Sequence, residues 1–136
     1  MKLIYTEICL MVLTLSSFAA AETFPSLGQG QMAGRVTEDS VILQSRLTTG
    51  ARLIEGDLPG AAGVAYFEVS TKEDFSTALK TEWLRASASH DYIIKRKITG
   101  LTSATRYYYR LVYGPNADNT RPVSYTHLTL PTILLV

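Results

Sequence analysis

The residue types that most often do chemistry in proteins are few in this 136-residue chain, and they are not grouped. The two histidines, His90 and His127, have no second metal ligand at a useful spacing. The acidic pair at residues 73–74 lacks the ligand pattern of a calcium-binding loop. Gly28 and Gly30 do not precede a helical pattern, so they do not predict a phosphate-binding loop. We therefore predict no catalytic, cofactor-binding or metal-binding residue, and no cofactor, in this chain.

The charged residues are nearly balanced in sign. Lys and Arg number 13 against 12 for Asp and Glu, which leaves a net charge of +1. Because no large field of one sign exists, we do not expect nucleic acid or an acidic membrane surface to be the main partner. The cationic run at residues 95–97 has strand spacing, which divides its charges between two faces. We interpret it as a solvated strand and not as a phosphate site.

The first 21 residues have the pattern of a secretory signal peptide. A basic start is followed by an apolar run at residues 8–15 and by the small residues Ala19-Ala20-Ala21. The alternative is a membrane-spanning helix, but the apolar core of roughly 11 residues is shorter than the ~20 that span a bilayer. We expect cleavage near Ala21, a secreted or periplasmic location, and no membrane association afterwards. The single cysteine, Cys9, would leave with the signal.

The remaining chain shows short apolar runs separated by turn residues, which predicts β-strands in one domain. We predict strands at residues 31–36, 41–47, 64–70, 91–99 and 105–113, and one or two edge strands within residues 77–86. Residues 48–63 are predicted to form a loop. Six or seven short strands in about 100 residues predict an all-β, two-sheet sandwich.

Alternation along these strands predicts which side chains face the core. The inward residues are Ala65, Phe67 and Val69, then Tyr92, Ile94 and Ile98, and finally Tyr107, Tyr109, Leu111 and Tyr113. The inward parity of residues 41–47 stays open, since three apolar residues are adjacent there.

Arg96 conflicts with this alternation. It has the same parity as Ile94 and Ile98, so it points inward unless a bulge intervenes, and a charge in the core needs a partner. A position near the end of the sandwich, or one under a neighbouring domain, would resolve the conflict. We favour the end of the sandwich.

Residues 100–111 resemble the end of a fibronectin-type-III-like domain. In that fold a Leu precedes a turn, and a Tyr six residues later forms the tyrosine corner, in which its hydroxyl bonds back to the backbone. Leu101 and Tyr107 hold these places here, and Ser103 replaces the usual Pro. The resemblance therefore implies that Tyr107, Leu101 and the core residue Phe67 are structural residues of an Ig/fibronectin-III-like sandwich.

The order of further motifs resembles the N-terminal domain of PhoD-like alkaline phosphatases. The matching motifs are Ser-Val-Ile-Leu at residues 40–43, Ser-Arg-Leu at 45–47, Glu-Val-Ser-Thr at 68–71 with an acidic pair and Phe after it, and Asp-Tyr through Gly-Leu at 91–101. Gln44 and Arg96 depart from the family pattern, and an Arg-Arg signal is absent. The first two departures concern local packing, and the third favours general secretion.

This resemblance implies a non-catalytic N-terminal module of a secreted metallophosphatase that acts on phosphate esters as an alkaline phosphatase or phosphodiesterase. Family members typically hold iron and calcium in a large domain that follows the module. That downstream domain is the implied partner, and the fragment alone is expected to have no enzymatic activity.

The ending of the chain departs from the family. Residues 123–132 resemble translated sequencing-adapter read-through, so we interpret residues 123–136 as a non-native tail and residues 22–122 as the domain. The alternative is a native closing strand, because Thr, Tyr, Leu and Ile favour β structure and Pro131 permits an edge position.

Two other functions stay open from the sequence. One is a free-standing, secreted fibronectin-III-like binding module for adhesion or carbohydrate, with Tyr66, Trp83 and Tyr108 as stacking residues. The other is the related N-terminal domain of a purple acid phosphatase, which carries a similar Tyr-rich run.

Overall fold

The computed structural model describes residues 23–123 and 125–131, and these residues form strands and one short 3-10 helix. The strands are β1 (Gln31–Gly34), β2 (Val41–Arg46), β3 (Gly63–Ser70), β4 (Leu79–Lys80), β5 (Leu84–Ala86), β6 (Ile93–Ile98), β7 (Arg106–Asn116), β8 (Asn119–Pro122) and β9 (Thr126–Thr129). The 3-10 turn is Ala88–His90. The predicted all-β fold is confirmed. The predicted signal, residues 1–21, lies outside the described residues.

The strands form two antiparallel sheets. The three-stranded sheet has the order β1-β2-β6. In the six-stranded sheet β3 and β7 pair along seven residues at the centre. Strands β4 and β5 share the outer edge of β3, and β8 and β9 share the outer edge of β7. The predicted two-sheet sandwich is therefore confirmed.

The core lies between the two sheets and is built from alternate residues of each strand. The side chains of β3 and β7 that were predicted to face inward are all buried: Ala65, Phe67, Val69, Tyr107, Tyr109, Leu111 and Tyr113. In β2 the inward residues are Val41, Leu43 and Ser45, which settles the parity that the sequence left open. The hydroxyl of Ser45 donates to the Gly30 carbonyl at 2.7 Å, so the one polar group among them is satisfied.

The loop between β2 and β3 carries a small hairpin at its tip. Ile54 and Asp57 exchange two backbone hydrogen bonds of 2.7 and 2.9 Å. Glu55 and Gly56 between them have φ values of 52° and 86°, the two positive angles of a type I′ turn. A two-residue type I′ turn matches the twist of the strands that it joins, so this loop has a defined conformation.

Arg46, at the end of β2, ties this loop to the turn before β6. Its Nη1 donates to the Leu58 carbonyl at 2.6 Å, and its Nε donates to the Asp91 carbonyl at 3.0 Å. Its Nη2 forms an ion pair with Oδ1 of Asp91 at 2.8 Å. Gly60 packs against the ring of Tyr92, where a Cβ would lie 1.9 Å from Cδ2 of the ring. The loop is therefore held against the sandwich from both ends.

Strand β8 is the element that the sequence patterns missed. Asn116 and Asn119 frame its turn, because Oδ1 of Asn116 accepts from the amides of Asp118 and Asn119 at 3.1 and 3.0 Å. Asn in such a turn caps the backbone in place of a longer loop. At Gly114 a Cβ would lie 1.8 Å from the Asn119 carbonyl oxygen, so this close approach requires glycine. A polar, proline-containing run of four residues carries little strand propensity, which explains the omission.

Burial of Tyr109 makes the stability of the sandwich sensitive to alkaline pH. Desolvation raises the pKa of this phenol above 10.0, more than its hydrogen bond with Thr126 lowers it. Because the unfolded chain releases this proton at a lower pH than the folded chain does, the free energy of unfolding should fall as the pH rises above 10. Chemical denaturation between pH 8 and 11 should show that the free energy of unfolding declines less with pH in Tyr109→Phe than in the parent chain. An unchanged decline would contradict the assignment to Tyr109.

Candidate functional site

The tyrosine corner lies between β6 and β7. The Tyr107 side chain is buried, and its hydroxyl oxygen accepts a 2.9 Å hydrogen bond from the amide of Thr102. Leu101 packs against the core, and its amide donates to the Asp39 carbonyl at 2.9 Å. The turn is possible because Gly100 and Ala104 adopt φ values of 74° and 53°. The corner thus fixes the crossover between the two sheets.

Removal of the Tyr107 hydroxyl should measure what the corner contributes. In Tyr107→Phe the amide of Thr102 loses its acceptor while the ring stays in the core, so we expect a loss of about 1–2 kcal/mol in the free energy of unfolding. Tyr108→Phe is the matched control, since it changes the adjacent, more exposed tyrosine of the same strand. Urea denaturation followed by Trp83 fluorescence provides the measurement. Equal losses in the two variants would refute this role of the corner.

Phe67 lies at the centre of the core with a fully buried side chain. It is in β3, directly opposite Leu111 of β7, and the amide of Phe67 donates to Oγ1 of Thr81 at 3.0 Å. Phe67, Leu101 and Tyr107 all belong to one core cluster or pack against it. Phe67 and Tyr107 are buried in the core and Leu101 packs against it, so all three contribute to holding the sandwich together.

The residue types that bind metals are dispersed. His90 is exposed in the 3-10 turn, where its Nδ1 lies 3.0 Å from Oγ of Ser89. His127 lies in β9, in the six-stranded sheet. Asp74 is exposed, and the Ser76 amide that donates to it lowers the pKa of its carboxyl group. Among the described residues, no three His, Cys, Asp or Glu side chains are grouped closely enough to hold a metal ion. In the same part of the chain no helix is long and apolar enough to span a membrane.

Arg96 lies at the lateral edge of the sandwich, which corrects the expectation that it sits at the end. It is the direct partner of Leu43 and so shares the inward face, as its parity predicted. However, β6 is the outer strand of its sheet, and the Arg96 side chain remains 43% exposed. Its guanidinium forms an ion pair with the Glu82 carboxylate between β4 and β5. The charge therefore bridges the open edges of the two sheets and requires no burial.

The glycines at residues 28 and 30 shape a turn before β1. The amide of Gly28 donates to Oγ1 of Thr48 at 3.0 Å, and a Cβ on Gly28 would lie 2.6 Å from a methyl group of Leu58. Gly30 has a φ of 70° and precedes a strand, not a helix. This turn closes the sandwich and does not present amides to an anion.

The outer face of the six-stranded sheet carries a row of three charges that sequence analysis missed. Lys80, Glu68 and Arg110 are direct neighbours on β4, β3 and β7. The Glu68 side chain is only 6% exposed, and Oε2 accepts from Nε of Arg110 at 2.6 Å while Oε1 lies 3.4 Å from Nζ of Lys80. The Arg110 guanidinium is stacked 4.1 Å from the centroid of the Phe75 ring. The cross-strand register, once known, would have revealed the row, but the sequence alone did not supply that register.

The aromatic residues considered for sugar stacking contact one another. Tyr66 and Trp83 meet edge to face, with centroids 4.7 Å apart and planes at 87°. Tyr108 packs edge to face on Tyr125. Because the paired rings stand nearly perpendicular, the two rings of a pair do not combine into one flat platform for a sugar.

The outer face of the three-stranded sheet bears a shallow groove. One depression of about 230 Å³ is lined by Met32, Gln44, Ile93, Arg46 and Asp57 among others. A second depression of about 130 Å³ is lined by Ile42, Arg35 and Lys95, together with the same Met32 and Gln44. Since the two depressions share residues, they form one continuous surface, which we call the β1–β2–β6 groove.

Comparison with known proteins identifies the family. The model of the "PhoD-like phosphatase, N-terminal domain" matches residues 14–130. The chain belongs to this family. No curated protein matches it.

Comparison with solved structures agrees with the assignment of this chain to the PhoD-like N-terminal domain family. The structure of PhoD is 29% identical, with a TM-score of 0.59, over 78% of this chain and 19% of the PhoD chain. The chain thus spans about a fifth of the length of PhoD. A sensor domain of the anti-sigma factor RsgI4 from Pseudobacteroides cellulosolvens (11% identity, TM-score 0.53) covers 74% of this chain, and 89% of that chain is covered. A fibronectin type III domain of the human KIAA0970 protein has 12% identity and a TM-score of 0.52, over 79% of this chain and 75% of that domain's chain. The last two show the fold alone.

The origin of the end of this PhoD-like domain stays a prediction. Residues 126–129 pair with the first half of β7, and the Leu130 amide donates to the Thr105 carbonyl at 3.1 Å. Pairing of this kind is expected for any sequence of high β propensity beside an open edge, so it does not bear on whether the tail is native.

Proposed function

We propose that this domain is the non-catalytic N-terminal module of a secreted PhoD-like metallophosphatase, which hydrolyses phosphate monoesters or diesters in a domain that follows. The observation that carries the proposal is the family match over residues 14–130, together with the small share of PhoD, 19%, that the chain covers. The arrangement of the described residues supports it, because the features that they form are structural: a tyrosine corner, a closed core and paired charges.

The metals of such a phosphatase belong, in this proposal, to the following domain. Iron and calcium require carboxylates, imidazoles and similar donors that converge on one point. The described residues do not fit such a site, because their His, Asp and Glu side chains are dispersed. When bound in the downstream domain, the metals would polarise the phosphoryl oxygen and supply hydroxide near neutral pH.

We further propose that the parent protein is exported to the periplasm or the cell exterior. The support is the signal-like sequence of residues 1–21, in which a basic start, an apolar run and small residues follow in order. N-terminal sequencing of the secreted protein, which should begin near residue 22, tests this part.

The decisive experiment is recovery of the gene beyond codon 123 from its source DNA. We expect an open reading frame of several hundred codons with an Asp-x-His-like motif and a Gly-Asp motif. The longer protein should hydrolyse p-nitrophenyl phosphate or its bis-ester in a metal-dependent way, whereas the 136-residue chain should not. A stop codon or repeated sandwich domains would refute the proposal and favour a free-standing binding module.

A free-standing binding module is the second candidate. The observation that favours it is the exposure of Trp83 and Leu79, 46% and 53%, at the edge of the six-stranded sheet. An assay of phosphatase activity on the 136-residue chain cannot separate the two candidates, because both predict no activity. The gene sequence separates them.

A further inference from the structure

Three of the seven large, exposed apolar side chains in the described part of the chain lie at the β1–β2–β6 groove or at the hairpin at one end of it. Leu53 and Ile54 of the hairpin are 70% and 58% exposed, and Met32 in the groove is 53% exposed. Asp57, which pairs with Ile54 in the hairpin, lines the groove, so these features form one surface. Contiguous exposed apolar surface is one of the features that mark interaction sites on soluble proteins.

Hydrogen bonds to the rest of the domain hold the hairpin and its loop in a defined conformation. Arg46 holds the Leu58 carbonyl at 2.6 Å, and the Thr49 amide donates to the Pro59 carbonyl at 2.9 Å. Ile54 is the first residue of the type I′ turn and Leu53 directly precedes it, so the turn fixes the position of both residues. Since the entropy of ordering has already been lost in the free domain, a partner could bind this tip at low cost.

The other end of the groove is cationic and unneutralised. Lys95 and Lys97 lie on the outer face of β6, opposite Gln44 and Ile42 of β2, and Arg35 follows β1. Among the described residues none of these three cations has a carboxylate within ion-pair distance. On the outer face of the six-stranded sheet, by contrast, Arg110 and Lys80 are paired with the buried Glu68.

The size of the proposed downstream domain allows it to cover this surface. Strand β7, the longest with 11 residues, spans roughly 37 Å. In PhoD, four-fifths of the chain lies outside the matched part, and a domain on the order of 400 residues has a diameter of roughly 55 Å. Such a domain, attached after the last strand, is longer than the sandwich and can reach the hairpin at the opposite end.

We infer that the β1–β2–β6 groove, from the Leu53–Ile54 hairpin to Lys95 and Lys97, is the surface that docks the catalytic domain of the same longer chain. This inference rests on the proposed function and adds to it the face and the chemistry of the contact. The complementary surface of the catalytic domain should have an apolar recess for Leu53 and Ile54 and carboxylates opposite the three cations.

A lipid bilayer fits the surface less well, because it would have to accept Glu55 and Asp57 at the apex and the closing position of the same hairpin. A second copy of the chain is another occupant, and the labelling experiment below distinguishes it by its dependence on dilution.

Thiol labelling tests the inference at exposed positions that tolerate substitution. Leu53→Cys and Lys95→Cys are made in the longer protein and in the 136-residue chain, and alkylation by iodoacetamide is timed by mass spectrometry of the peptide that carries each new thiol. We expect labelling of both to be about tenfold slower in the longer protein, because the core of an interface excludes solvent. Leu79→Cys, on β4 of the other sheet and 53% exposed, is the matched control and should react equally in both.

Each other outcome overturns the inference in a recognisable way. Equal rates for Leu53→Cys in the two proteins would mean that the catalytic domain does not cover the hairpin, while protection of Leu79→Cys alone would move the docking face to the other sheet. Protection of Leu53→Cys in the 136-residue chain that disappears on dilution would assign the surface to a second copy. Protection of that chain by phosphatidylglycerol vesicles would assign it to a membrane. A gene that encodes no phosphatase domain is detected from the DNA alone, so failure of the proposed function is distinguishable from failure of the docking face.

Discussion

Phe67→Ala is expected to lower the free energy of unfolding by about 3–5 kcal/mol, because it removes a fully buried aromatic ring and leaves a cavity between the sheets. Phe67 lies on β3 opposite Leu111, in the pairing that joins the two central strands of the larger sheet. The two sheets meet on this ring, so neighbouring side chains can fill the cavity only by moving both backbones. Small domains are stable by only about 5–15 kcal/mol, so this variant is expected to be partly unfolded at 37 °C.

Urea denaturation monitored by circular dichroism measures the effect. Leu79→Ala serves as the control, since it also removes an apolar side chain from the larger sheet, but from a site that is 53% exposed. We expect the control to change the free energy of unfolding by about 0.5 kcal/mol or less. A Phe67→Ala variant as stable as Leu79→Ala would contradict the central place of this ring.

Arg110→Met is expected to cost about 3 kcal/mol, because it leaves the buried Glu68 carboxylate without its closest cation. Lys80 remains at 3.4 Å, but its side chain is 62% exposed and its charge is screened by water. We therefore place the cost at the lower end of the range for breaking a buried pair.

Arg121→Met is a well-matched control for this variant. The Arg121 guanidinium lies 4.0 Å from the centroid of Phe24, much as that of Arg110 lies over Phe75, but Arg121 forms no ion pair among the described residues. Loss of such a ring contact alone costs roughly 1 kcal/mol or less. The double variant Glu68→Met with Arg110→Met should regain much of the lost stability, since no buried charge remains. If the double variant were as unstable as the single one, the buried charge could not be the cause.

The pattern of apolar residues predicted the sandwich because inward-facing apolar residues alternate with outward-facing residues along its strands. In β3 and β7 one face is buried between the sheets, and a period of two then specifies which side chains lie inside. The turn at residues 100–107 was predictable for a different reason, since a tyrosine corner needs a defined spacing between its Leu and its Tyr. The family resemblance rested on the same motifs and was confirmed by the match over residues 14–130.

Several features that the sequence did not predict depend on contacts between strands. Whether Val41 or Ile42 points inward is decided by the pairing of β2 with β1 and β6, which places Val41 opposite Ile98. Arg96 has the parity of a core residue, and only its place on the outer strand beside Glu82 allows it to stay in water. The Glu68 row and the groove likewise exist only once the register is known.

One hydrogen bond ties the beginning of the domain to its end. Oε1 of Gln31, in β1, accepts from the amide of Leu111 in β7 at 3.0 Å, across a separation of 80 residues. Closure of the sandwich therefore has to wait until almost the entire module has been synthesised, and folding dominated by such distant contacts is slow. Such a delay would suit the proposed export, because a chain that is still unfolded can pass through a narrow translocation channel as an extended thread.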